Sequence, residues 1–184
     1  MRVITGTARG RRLRTLEGND VRPTTEKVKE AMFSAIQFDL DGARVLDLFA
    51  GSGQLGIEAL SRGAEHAVFV DASTQAAAIV RENLENTQLS DRALVVNRRA
   101  EDYLRTCTAE FDFAFLDPPY RNGILEELLP ILAKKLSNGG KIFCEHESDL
   151  VLPEKICGLV LKKVYKYGKI KLALYCKTEE SDEQ

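Results

Sequence analysis

Between Ala43 and Glu147 the chain carries five short apolar runs, separated by longer stretches of different character. They are "ARVLDLF", "HAVFVD", "ALVVN", "FDFAFLD" and "KIFCEHE". Near-continuous apolar runs of this length, bounded by turn residues, read as strands buried on both faces. A glycine turn and a helix ending near Gly63 follow the first run, and a helix over 73–86 follows the second. A helix over 122–137, kinked by Pro130, follows the fourth. Strands alternating with helices predict an α/β fold with a doubly wound, mostly parallel sheet. The final "LVLKKVYKYGKIKLALYCK" reads as a strand pair around Gly168, adding antiparallel edge strands to make seven.

Ahead of this unit, "MRVITGTARGRRLRT" alternates loosely around Gly10 and predicts a short hairpin. In "RPTTEKVKEAMFSAI", Val28, Ala31, Met32, Ala35 and Ile36 recur at one-face helical spacing. Thr24 suits the N-cap and Glu26 the positive end of the helix dipole. The expected organisation is an extension over 1–40, a main domain over 41–178 and an acidic tail over 179–184. A chain of 184 residues accommodates one such domain with a sizeable core.

Charge is distributed unevenly. The first sixteen residues hold Arg2, Arg9, Arg11, Arg12 and Arg14 and no acid, and residues 155–177 hold seven lysines and no acid. Basic ends around a mildly acidic middle suit a polyanion, although a solvated surface looks the same in sequence. Cys107, Cys144, Cys157 and Cys176 form no CxxC pair, and His66 and His146 are solitary, so no metal site is expected. No apolar run reaches 18 residues and the N-terminus lacks a secretory pattern; a cytoplasmic address is the default, with no membrane contact.

Two motifs carry chemistry. "GSGQLG" places Gly51, Gly53 and Gly56 in a G-x-G-x-x-G pattern between strand and helix, and Asp71 stands 20 residues after Gly51. This is the arrangement that brings backbone close to a nucleotide and an acid to its ribose hydroxyls. Gly51 and Gly53 are expected to admit the ligand. The glycines alone leave open a nicotinamide or flavin dinucleotide as well as any other adenosine-bearing cofactor. Asp47, four residues before Gly51, argues against an anionic pyrophosphate and for a cationic ligand such as the sulfonium and ammonium of S-adenosylmethionine. The second motif is "DPPY", Asp117 to Tyr120, at the end of the fourth apolar run. In doubly wound sheets ligands bind beyond the carboxyl ends of the strands, so this rigid turn should lie beside the glycine loop.

"LDLFAGSG" followed by "DPPY" resembles the amino-methylating S-adenosylmethionine-dependent methyltransferases. With "RGRRL", "RPTTEKVKEAMF", "LSRGA" and "YKYG", almost all of residues 1–177 resemble the RsmD-type 16S ribosomal RNA guanine-N2 methyltransferases. The resemblance implies a cofactor site of Asp47, Phe49, Gly51, Gly53, Asp71 and Ala100. It implies that Asp117 and the Pro118 carbonyl accept hydrogen bonds from the exocyclic amine, and that Tyr120 stacks on the base. Arg9, Arg11, Arg12 and Arg22 would hold RNA phosphates, with 16S ribosomal RNA in the 30S subunit as partner and a monomer as the acting form. One departure stands out: Arg99 precedes Ala100 where many relatives carry an acid or asparagine for the adenine amine, and a guanidinium accepts no hydrogen bond. Two alternatives remain: the same chemistry on DNA adenine or protein glutamine, and an NAD(P)-dependent oxidoreductase.

Overall fold

The structure is a computed structural model that describes residues 1–16, 26–119 and 123–178. Its centre is an eight-stranded sheet. The strands are β1 (Arg44–Leu48), β2 (His66–Asp71), β3 (Ala93–Asn97), β4 (Phe111–Leu116), β5 (Leu136–Glu147), β6 (Lys155–Ile156), β7 (Leu159–Tyr167) and β8 (Ile170–Lys177). They lie in the order β3-β2-β1-β4-β5-β8-β7-β6. The first five pair in parallel and β5-β8-β7-β6 antiparallel. The five apolar runs are therefore the five parallel strands, and the closing pair is β7 and β8. The sheet has one strand more than the seven expected. The two-residue β6 carries too little pattern to be read in advance.

Helices cover both faces. One face packs α1 (Glu26–Ser34), α2 (Gln54–Ser61) and α3 (Thr74–Thr87) over Val45, Phe69, Phe113, Phe115 and Phe143. The other packs α4 (Ala100–Thr106) and α5 (Ile124–Ala133) over Leu46, Leu48, Ala114, Leu116 and Cys144. The alternation of Leu46 and Leu48 with Val45 and Asp47 is the period-2 pleat of a strand clothed on both sides. Short α4 has no counterpart in the periodicity reading. Of the predicted α1 face, Val28, Met32 and Ile36 are buried and Ala35 is exposed; the helix itself ends at Ser34. Thr24 lies outside the described residues.

The N-terminal arm is hairpin-like, yet its ladder is a single bridge between Arg2 and Arg12. Its order comes from α2. Both oxygens of fully buried Glu58 accept backbone N–H groups of the arm, from Ile4 at 2.8 Å and Thr5 at 3.0 Å. Lys29 Nζ of α1 lies 3.4 Å from Glu58 and donates to the Arg2 carbonyl at 2.9 Å. Burial is the main influence on Lys29, lowering its pKa, and Glu58 opposes it. Arm, α1 and α2 are thus one unit held by a buried, paired charge.

Candidate active site

Strand order reverses between β1 and β4: the chain proceeds outward through β2 and β3, then returns to the other side of β1. Loops leaving the carboxyl ends of β1 and β4 diverge there and leave the crevice in which doubly wound sheets bind ligands. The glycine loop follows β1 and Asp117-Pro118 follows β4, so the two motifs read in sequence meet at this point.

The loop after β1 is tightly specified. Phe49 stands at φ 66°, a left-handed conformation costly for a side chain with a Cβ, and its N–H and that of Ala50 both donate to the Val70 carbonyl, at 2.9 and 3.0 Å. Gly51 and Gly53 follow at φ 56° and 76°, and α2 begins at Gln54. The three glycines answer different demands. A Cβ on Gly51 would meet open space, whereas one on Gly53 would press on Val80 and Phe69, and one on Gly56 would collide with the Phe69 ring. Gly51 has open space beside it, and Gly53 is in addition constrained from the core side. The third glycine lets α2 pack closely on β2.

Asp47 is 3% exposed and accepts the Gly56 N–H at 2.8 Å. Burial pushes its pKa up to about 8; the Gly56 bond works against this, and the carboxylates of Asp117 and Asp71 add to it. Asp71, half-buried at the end of β2, accepts the Gly51 N–H through Oδ2 at 2.9 Å and the Ser73 N–H through Oδ1 at 2.8 Å. The acid expected at the ribose hydroxyls therefore also ties down the glycine loop, and each of its oxygens keeps a further lone pair for a ligand. Its backbone carbonyl accepts from Asn97 Nδ2 and Arg98 N–H, which closes β3 onto β2.

Asp117 is half-buried directly after β4, and its pKa rises to about 7 through burial and the neighbouring Glu145 carboxylate. Pro118 is buried and Pro119 exposed; Tyr120 lies outside the described residues. Glu145, 6% exposed on β5, was not singled out in sequence. The available signal was an acid inside "KIFCEHE" at the same parity as Phe143. Ala100 is buried as the first residue of α4, after Arg99, whose guanidinium meets Glu101 at 3.5 Å on the surface.

Arg9, Arg11 and Arg12 are exposed on the arm. Arg11 Nη1 donates to the Asn86 carbonyl at 3.0 Å, and Asn86 Nδ2 donates to the Arg12 carbonyl at 2.9 Å, seating the arm on α3. Arg22 lies outside the described residues. Lys162, Lys163 and Lys166 are exposed on β7, towards the opposite end of the sheet from α3. Among the described residues no cluster of His, Cys, Asp and Glu has metal-site geometry, and no helix is long and apolar enough to cross a membrane.

Residues 1–176 match the family described as Conserved hypothetical protein 95. The chain is 43% identical to "Putative rRNA methyltransferase YlbH" of Bacillus subtilis over 182 residues, covering 96% of this chain and 99% of that one. It is 34% identical to Ribosomal RNA small subunit methyltransferase D of Escherichia coli (strain K12) over 177 residues, or 90% and 89% of the two chains. The solved structure of yhhF from Escherichia coli superposes with a TM-score of 0.85 at 33% identity, covering 97% of this chain and 98% of that one. Fold, motif placement and near full-length similarity agree, and the chain belongs to this family of RsmD-type, S-adenosylmethionine-dependent ribosomal RNA methyltransferases.

Proposed function

We propose that the protein transfers a methyl group from S-adenosylmethionine to the exocyclic N2 amine of a guanine in 16S ribosomal RNA. The observation that carries this reading is the pair of acids at the switch point. Asp47 is the penultimate residue of β1 and Asp117 directly follows its parallel neighbour β4, and Asp47 is in register with Phe115, two residues before Asp117. A buried acid with a pKa near 8 beside an open glycine turn is ionised and stabilised by a cationic ligand, whereas an anionic pyrophosphate gains no stabilisation from it. That weighs against the dinucleotide alternative.

The proposed cofactor site comprises Asp47, Phe49, Gly51, Gly53, Asp71 and Ala100. S-adenosylmethionine would supply an electrophilic methyl group on a sulfonium. Asp47 stabilises positive charge near the glycine turn, and Asp71 offers its remaining lone pairs to the ribose diol. On the acceptor side, Asp117 and the Pro118 carbonyl accept the N–H groups of an amine whose lone pair is conjugated into the base. Two such acceptors favour a pyramidal nitrogen, and productive attack needs reacting atoms about 3–3.5 Å apart. The amine becomes acidic as it is alkylated, so no strong base is required and Asp117 acts chiefly as a hydrogen-bond acceptor. Tyr120 is proposed to stack on the base.

Arg9, Arg11, Arg12 and Arg22 would bind phosphates, contacts that position RNA without reading its sequence. The target base must be single-stranded or flipped from its stack. The relatives named as small-subunit ribosomal RNA methyltransferases support small-subunit RNA as the substrate class; an assembled or assembling 30S subunit as its form, and a cytoplasmic monomer as the acting enzyme, are part of the proposal. DNA adenine remains the second reading for the same acceptor motif; the basic arm disfavours protein glutamine. Single-turnover methylation of 30S subunits from a strain lacking the gene, with saturating cofactor and mass analysis of the nucleoside, tests this. N2-methylguanine is expected. Asp117→Ala should lose the rate of transfer while keeping cofactor affinity, and Asp117→Asn should retain more activity than Ala. Methylated adenine, or full activity in Asp117→Ala, would sink the reading.

A further inference from the structure

We infer that Glu145 selects guanine at this site, its carboxylate accepting the N1–H of the base while Asp117 takes the exocyclic amine. This rests on the guanine-N2 reading above. The geometry comes from the β4–β5 pairing. These strands run parallel with Phe115 opposite Phe143 and Leu116 opposite Cys144. The Phe115 and Phe143 rings stack with centroids 6.0 Å apart on one face of the sheet. Side chains alternate between faces, so two residues further on Asp117 and Glu145 fall side by side on that same face.

Neighbouring strands are separated by about 4.8 Å, a spacing that suits two acceptors addressing adjacent donors on one ring. The two acids sense each other, for Glu145 is the charged group that raises Asp117. Glu145 is 6% exposed and sits opposite Leu172 of β8.

The chemistry of the base accounts for such an arrangement. Guanine presents N1–H and the N2 amine as neighbouring donors. Adenine presents its amine beside an unprotonated N1, whose lone pair would face the Glu145 carboxylate. The same contact therefore attracts the right base and repels the wrong one.

The test uses 30S subunits reconstituted with 16S RNA carrying either guanine or 2-aminopurine at the mapped methylation site. 2-Aminopurine keeps the acceptor amine but lacks N1–H. Wild type should prefer guanine by more than roughly a hundredfold in kcat/KM, since a site built to bond an N–H rejects the analogue without one. In Glu145→Gln the amide donates to the unprotonated N1, so the guanine to 2-aminopurine ratio should fall at least about tenfold. A merely structural role would slow both substrates together and leave the ratio unchanged. Either an unchanged ratio in Glu145→Gln, or no preference in wild type, overturns the inference while N2-methylguanine formation leaves the parent reading intact. Wild type that forms no N2-methylguanine overturns both.

Discussion

Asp47 should make cofactor binding release a proton. With a pKa near 8, its carboxyl is mostly protonated in the free enzyme at neutral pH. A cationic ligand favours the ionised form, so binding must pull the proton off. At pH 7 this amounts to about 0.9 proton per cofactor, and between pH 8.5 and 6.5 the dissociation constant should rise about 25-fold, about 2 kcal/mol. Asp117, with its pKa near 7, faces the same crevice and adds a smaller slope, so the measurement belongs in an Asp117→Asn background. Titration calorimetry in two buffers of different ionisation enthalpy reads the proton directly. Asp47→Asn keeps an acceptor for the Gly56 N–H but not the charge; its dissociation constant should be higher at pH 8.5 and nearly independent of pH. The same group has a consequence for folding. Its native pKa lies above its unfolded value, so the free protein loses stability as pH rises from about 4 to about 8, and Asp47→Asn should melt higher at pH 8. A flat wild-type profile, or an equal slope in Asp47→Asn, would refute the reasoning.

Glu58→Ala removes the partner of Lys29 and the acceptor of two arm N–H groups, and should destabilise the fold by about 3–5 kcal/mol in urea titration. Lys29→Met should cost less, because Arg62 and the two amides still satisfy Glu58. Gly56→Ala should destabilise by at least about 1–3 kcal/mol through collision with Phe69, seen as a lowered melting temperature without ligand. Gly51→Ala meets no neighbour, so its stability cost is the left-handed φ alone, about 1–2 kcal/mol, while calorimetry should show weakened cofactor binding. Replacing Arg9, Arg11 and Arg12 with Ala should reduce the slope of log RNA affinity against log salt by roughly 0.7–0.9 per lost phosphate contact. A smaller change at Arg11 than at Arg9 or Arg12 in single variants would reflect its existing bond to the Asn86 carbonyl.

The five parallel strands and the meeting of "GSGQLG" with "DPPY" were legible in the sequence because both are local. Apolar runs report burial on two faces, and the rule for strand ends places two loops without knowledge of contacts. Helix α4 and strand β6 escaped, since seven and two residues hold too little periodicity against their surroundings. Tertiary structure alone decided the pairings between residues distant in the chain. Glu58 reads in sequence as an ordinary helix acid, and only the fold brings it to Lys29 and the amides of Ile4 and Thr5. Gly53 reads as a glycine for close ligand approach, and only the fold shows that Phe69 and Val80 also restrain it from the core side. Glu145 reads as the polar end of a strand, and becomes part of the candidate site through the parallel register that sets it beside Asp117. Periodicity reports how a residue is oriented relative to its own element; which charge faces which is set by how the elements pair, and that depends on the whole chain at once.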